Sequence, residues 1–143
     1  MESNPHSIPP IEHGEALHGA QWGMATCFPQ PIAMASMFDK EMVEEIADVI
    51  GKECAVVGVR QALTPVVNVV RDCRWGRTVE TFGEDVLLNS DMGTAICKGL
   101  QKNGVIATPK HDGDYTVTVG TSSVDTIDTA EIKVRDKHIF IID

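Results

Sequence analysis

The 143-residue sequence has no apolar run near the roughly 18 residues that a membrane-spanning helix needs, so no membrane partner is expected. Basic charge is also scarce. Twelve Lys and Arg stand against 21 Asp and Glu, a formal net charge of −9, which argues against nucleic acid as a partner. The first stretch, "MESNPHSIPPIEHG", has neither a basic n-region nor an apolar h-region. No signal peptide is expected, and the chain as written would be cytoplasmic. Cys27, Cys54, Cys73 and Cys97 form no Cys-x-x-Cys pair, which disfavours a zinc ribbon and predicts buried or half-buried free thiols. Internal repeats and low-complexity tracts are lacking too. What is there is the material of one ordinary domain: 43% hydrophobic and 23% charged residues, in a chain long enough to build a core.

Two helices and three apolar segments stand out in the first 111 residues. "SIPPIEHGEALHG" reads as a short strand ending in a polar, Gly-bracketed loop. Residues 39–57 carry a helix with Asp39 as N-cap and acidic Glu41 and Glu44 near its positive end. Its apolar stripe is predicted as Met42, Val43, Ile46, Val49, Ile50, Cys54 and Val57, with Gly58 as the stop. "ALTPVVNVV" (62–70) has the texture of a parallel strand buried on both faces, with Pro65 marking its start or an irregularity. A second helix runs over 86–102, capped by Asp85, with Leu88, Met92, Ala95, Ile96, Gly99 and Leu100 inward. Gly104 ends it, and "GVIATP" forms the third strand.

Each of these strands is followed by polar residues: Glu15 and His18, Arg71 and Asp72, Lys110 and His111. In parallel α/β folds, sites are built at the C-terminal ends of strands. Beyond Asp112 the texture changes. Tyr115, Val117 and Val119 alternate with threonines, "GTSS" reads as a turn, "AEIKV" alternates again, and "HIFIID" adds a third strand. This is half-exposed antiparallel sheet, too small to be stable alone. The expected fold class is therefore α/β, with parallel βα units over 8–111 and a short antiparallel β segment over 113–143.

Three motifs carry possible chemistry, each with a structural alternative. In "GEALHG" Glu15 can accept two sugar hydroxyls, or His13, Glu15 and His18 can hold a metal. The plain alternative is a loop that satisfies its own backbone. In "RDCRWGR" each guanidinium presents a planar fork suited to a carboxylate or vicinal hydroxyls. Arg74 and Arg77 are equally suited to internal pairing with Glu80, Glu84 or Asp85, whereas Arg71, at the strand end, is expected to face a ligand. Lys110 and His111 reach one ligand together only if their strand bends, since neighbours on a strand face opposite sides.

Taken together, "HGEALHG", "TCFPQPIAMASMFD", "TPVVNVVRDCRWGRTVETFGED" and "GVIATPKH" resemble the family 3 glycoside hydrolases, β-glucosidases and β-xylosidases acting on β-linked sugars. The resemblance runs from about residue 8 to residue 111, and "GDYTVTVGTSS" is similar to the last strands of the fibronectin-like domain that ends many such enzymes. It implies a partial (β/α)8 barrel joined at Asp112 to those terminal strands. It also implies that Glu15, Arg71, Lys110 and His111 bind hydroxyls of the cleaved sugar, with Arg74, Trp75, Arg77 and Glu80 shaping the neighbouring loop. Cys73 and Val86 stand where the family usually has proline, and Asp112 where it has an aromatic residue.

The family cleaves by retaining double displacement, with an aspartate nucleophile and a glutamate acid/base. The regions that supply them have no counterpart here, so the resemblance implies a truncated or internally deleted β-glycosidase, without catalytic residues and inactive as it stands. A β-linked glycoside is the expected ligand, no cofactor or metal is expected, and open barrel edges invite self-association. A non-catalytic sugar-binding or interaction module is the alternative. A metal-dependent hydrolase built on His13, Glu15, His18 and His111 is a more distant one.

Overall fold

The computed structural model describes residues 9–111 in full and, beyond them, the backbones of three strands. The elements run β1 (His13–Gly14), α1 (Pro31–Ala35), α2 (Lys40–Val56), β2 (Gln61–Ala62), a 3-10 turn (Thr78–Glu80), α3 (Val86–Gln101) and β3 (Ile106–Ala107). Strands β1, β2 and β3 form one parallel sheet with β2 in the middle, His13 opposite Gln61 and Gln61 opposite Ile106. The parallel order follows from the helices. Each strand enters the sheet from the same side because a helix has carried the chain back.

The helix ends agree with their chemistry. Asp39 accepts the Met42 N–H at 2.9 Å and Asp85 the Leu88 N–H at 2.7 Å, each satisfying an orphan donor of a first turn. Gly58 and Gly104, past the helix ends, have φ of +88° and +69°, a left-handed backbone that favours glycine. The short helix α1 was not anticipated, although Pro31 opens it as proline often does.

The buried side of α3 is Asn89, Met92, Gly93, Ala95, Ile96, Gly99 and Leu100, close to the expected stripe, with Leu88 only half-buried. The expected side of α2 needs correction. Val43, Ala47, Ile50, Gly51 and Cys54 are buried, whereas Met42, Val49 and Val57 are exposed. Small residues explain the rotation. A Cβ on Gly99 would lie 2.5 Å from the Ala47 Cβ and from the Glu44 carbonyl oxygen, so α2 and α3 meet along Ala47 and Gly51 rather than along the bulkiest side chains.

A second correction concerns the strands. Regular pairing of β2 ends at Ala62 instead of running to residue 70, and resumes only as a parallel bridge between Val66 and Lys110. Pro65 contributes no N–H to a ladder, and Thr108 N–H reaches both the Ala62 and Thr64 carbonyls there. The Thr64–Pro65 and Lys110–His111 peptide bonds are cis. Nor are the strands buried on both faces. Val59, Ala62 and Val105 join the core beneath the helices and Val66 is buried, but Val69 is half-buried and Ile106 is 52% exposed. Half-buried Val67 lies against α3, where a Cβ on Gly93 would come within 2.8 Å of its Cγ1.

Beyond Asp112, β4 (Gly113–Gly120), β5 (Thr126–Arg135) and β6 (His138–Ile141) form a separate antiparallel sheet in that order. Tyr115 pairs with Ile132 and Val117 with Ala130. The expected change from parallel to antiparallel pairing is borne out. The "GTSS" turn and the exposure of the alternating side chains lie outside the described residues.

Candidate functional site

Because the sheet is parallel, the residues after β1 and β3 emerge at the same edge. Glu15 follows β1 directly, and the chain then turns at Ala16, which is buried at a φ of +47°, a conformation uncommon for a residue with a Cβ. Lys110 stands three residues past β3 and donates from Nζ to Glu15 Oε2 at 2.6 Å. The contact joins positions 95 residues apart. The Lys110 side chain is largely buried while that of Glu15 is half exposed, so the pair presents its carboxylate to solvent.

His111 is the next group in this corner. Its backbone N–H donates to Asn68 Oδ1 at 2.8 Å, while its ring Nδ1 is buried with no hydrogen-bond partner among the described residues. Burial lowers the imidazole from its ordinary value of 6.5, and the charges of Arg77 and Lys110 lower it further, against a smaller opposing pull from Glu80 and Glu15. His111 is thus held towards the neutral form, beside two cations and two carboxylates.

The "RDCRWGR" loop divides into paired and unpaired guanidinium groups. Arg77 donates from Nε and Nη2 to Glu80 Oε2 at 3.0 and 2.6 Å, as internal pairing predicts. Arg74 does not choose Glu80, Glu84 or Asp85. It forks onto Asp72 instead, Nε to Oδ1 at 2.9 Å and Nη2 to Oδ2 at 2.5 Å, and Asp72 also accepts the Arg74 backbone N–H. The reason is locality, because a carboxylate two residues away closes a turn at little entropic cost. The Arg74 hydrogen bonds hold the Asp72 carboxyl below its usual range. Trp75 is half-buried, and its carbonyl accepts both the N–H and the hydroxyl of Thr78. Arg71 is exposed and has no side-chain partner among the described residues. It lies nine positions beyond β2, not at the end of the regular strand.

His18 belongs to its own loop. Its Nδ1 lies 3.0 Å from the Phe28 carbonyl and its Nε2 3.2 Å from the Gln30 amide, while Phe28 N–H returns to the His18 carbonyl at 2.7 Å. Gly19 lets the loop close, since a Cβ there would lie 2.4 Å from the Thr26 carbonyl oxygen. Both ring nitrogens of His18 are therefore engaged locally. Among the described residues no three His, Cys, Asp or Glu side chains converge as metal ligands, so the reading built on His13, Glu15, His18 and His111 has no geometric support. The cysteines also depart from expectation: Cys54 is buried and Cys97 half-buried, but Cys27 and Cys73 are exposed.

A parallel βα sheet with a carboxylate, an ammonium and an imidazole at its C-terminal edge is the frame of an α/β barrel site. The family description "Glycosyl hydrolase family 3 N terminal domain" matches residues 1–141. The chain belongs to glycoside hydrolase family 3. It is 38% identical over 122 residues to a β-xylosidase of Formosa agariphila, an alignment covering 76% of this chain and 17% of that enzyme. It is 37% identical over 103 residues to thermostable β-glucosidase B of Acetivibrio thermocellus, covering 72% and 14%. The fold is similar to that of a mutant β-glucosidase of Listeria innocua solved in complex with laminaribiose, with a TM-score of 0.71 and 34% identity, covering 77% of this chain and 16% of that one. The chain thus spans less than a fifth of each of these three relatives. The parallel βα units are similar in fold to part of that structure.

Family membership leaves one feature of the site that sequence reasoning did not find. Asn68 sits in a Val-rich run and carries no motif of its own. Only the folded chain brings its amide to the His111 N–H, 43 residues away.

Proposed function

We propose that this chain carries part of the sugar-gripping half of a family 3 β-glycosidase site and lacks the bond-breaking half. Glu15, Arg71, Lys110 and His111 are the hydroxyl-binding residues, and Arg74, Trp75, Arg77 and Glu80 shape the adjoining loop. The observation that carries the reading is the 2.6 Å contact of Lys110 with Glu15 at the C-terminal edge of the sheet. A largely buried ammonium fixed beside a half-exposed carboxylate is a donor and an acceptor suited to neighbouring hydroxyls. The ligand class is a β-linked glucoside or xyloside, and residues 113–143 are terminal strands of a fibronectin-like domain joined at Asp112. The three-stranded antiparallel sheet is consistent with such strands and foreign to a parallel barrel.

Binding is not cleavage. Retaining hydrolysis needs a free carboxylate at the anomeric carbon and a protonated one at the leaving oxygen, about 5–5.5 Å apart. Glu15 is engaged by Lys110, and Asp72 is kept ionised by Arg74, the wrong state for a general acid. The test is a chromogenic aryl β-glucoside or β-xyloside offered to the chain, to Glu15→Gln and to Arg71→Ala. The expected result is no release of the aryl group above background, with sugar binding millimolar or weaker, roughly −4 kcal/mol. Turnover that both substitutions abolish would show that a working nucleophile exists in the chain.

A further inference from the structure

The unpartnered Nδ1 of His111 sets a question about what the ring is held for. A buried nitrogen without a hydrogen bond is a costly arrangement, and such an orphan persists only where the surroundings fix it. The ring is not fixed by a bond of its own, since neither of its nitrogens has a partner among the described residues. What is fixed is the backbone on which it stands. Asn68 Oδ1 accepts the His111 N–H at 2.8 Å, and this defines the amide orientation, because only the oxygen can accept from an N–H. On the preceding residue, Lys110 N–H donates to the Pro65 carbonyl, and Val67 N–H to the Lys110 carbonyl. The 65–68 segment therefore grips the 110–111 segment at three successive points.

We propose that Asn68 is a positioning residue of this site: by holding the His111 backbone it turns ring Nδ1 into the protein and leaves Nε2 as the atom presented to a ligand. Nδ1 is buried, which accords with this orientation. The charges that act on the ring are those of Arg77, Lys110, Glu80 and Glu15, two of each sign. A neutral imidazole there presents an uncharged Nε2–H, the donor suited to a hydroxyl oxygen, beside the charged donor of Lys110 and the acceptor of Glu15. The sugar part of this inference rests on the function proposed above, whereas the role of Asn68 does not.

The experiment follows deuterium exchange at the imidazole C2–H by mass spectrometry across pH, which reports the titration of each histidine in a protein of any oligomeric state. In the unsubstituted chain His111 is expected to titrate below a solvated histidine. Asn68→Leu removes the acceptor at similar volume, and the His111 titration should move up towards the ordinary value. Asn68→Asp keeps the acceptor and adds a negative charge, so the titration should rise because of that charge while the ring stays in place. Carbethoxylation at Nε2 separates the two variants. About 100 mM glucose, well above a millimolar dissociation constant, should slow the reaction at His111 in the unsubstituted chain and in Asn68→Asp, but not in Asn68→Leu.

An unchanged His111 titration in folded Asn68→Leu would overturn the assignment. If Asn68→Leu fails to fold, Asn68→Asp decides alone, and a His111 titration that does not respond to the new carboxylate refutes it. Absence of glucose protection in the unsubstituted chain, with the titration shifts as expected, counts against sugar binding and leaves Asn68 as the residue that places His111.

Discussion

Lys110 and Glu15 make the one long-range ion pair at the sheet edge among the described residues, and its value for stability is small. Glu15 is half exposed, so water screens the attraction and rehydrates the carboxylate when its partner is removed. Lys110→Met is therefore expected to lower stability by no more than about 1 kcal/mol, measured by urea denaturation, while abolishing the glucose protection of His111. His111 itself gives a pH dependence of definite sign. Its folded-state value is lowered from 6.5, so as pH falls through 6.5 the unfolded chain binds the proton first and stability declines. The decline ends once pH is below the folded value, and above 6.5 the residue contributes nothing. His111→Gln should flatten that part of the stability–pH curve, and an unaltered slope would show the imidazole to be solvated. The thiols separate in the same way. Burial raises Cys54, and pushes Cys97 up to about 12, so at mildly alkaline pH iodoacetamide should label exposed Cys27 and Cys73 in the folded chain and spare the other two.

At the scale of elements, the α2–α3 seam decides how the βα units hold together. Glycine inside a helix is ordinarily worse than alanine by about 1 kcal/mol. At Gly99 the balance reverses, because a Cβ would meet Ala47 Cβ and Glu44 O at 2.5 Å and Asp48 N at 2.7 Å, two of them backbone atoms that cannot swing away. Gly99→Ala is expected to destabilise by about 1–3 kcal/mol through forced separation of the helices. Gly76→Ala is the control, since nothing lies within 4 Å of its Cβ position, and it should be close to neutral. Denaturation midpoints of the two variants make the comparison, and equal midpoints would mean that the seam is loose. Across the seam Lys102 pairs with Glu44, and Asn103 donates to the Asp48 side chain and carbonyl, so polar contacts flank the small-residue contact.

For the molecule as a whole, edges dominate. Among the described residues β1 and β3 each pair on one side only, although the family's fold closes such strands into a barrel. Apolar surface is open at Ile106, 52% exposed, and at Phe38, 78% exposed, and Val69 is half-buried. Open strand edges next to uncovered apolar surface favour pairing with another chain. Sedimentation at micromolar concentration is therefore expected to show oligomers or aggregates, with a broad thermal transition. A single monomeric boundary with a sharp melt would rule this out.

The sequence by itself determined the two long helices and the alternation of strand and helix, though not the short helix α1. Asp39 and Asp85 named the helix starts and Gly58 and Gly104 the ends, because capping and backbone conformation act over a few residues; the apolar runs announced parallel pairing but not its extent. It also determined the change of pairing after Asp112, since alternation with period two is a local pattern. Tertiary structure alone decided which side of α2 is buried, because a contact between two helices is set by where their smallest residues coincide, at Ala47 and Gly99. It decided that Arg74 pairs with Asp72, that His18 serves its own loop, and that regular pairing of β2 stops at Ala62. It alone brought Glu15 to Lys110 and Asn68 to His111, across 95 and 43 residues. No local rule reaches that far: contacts of such separation exist only when a complete sheet register fixes both ends at once.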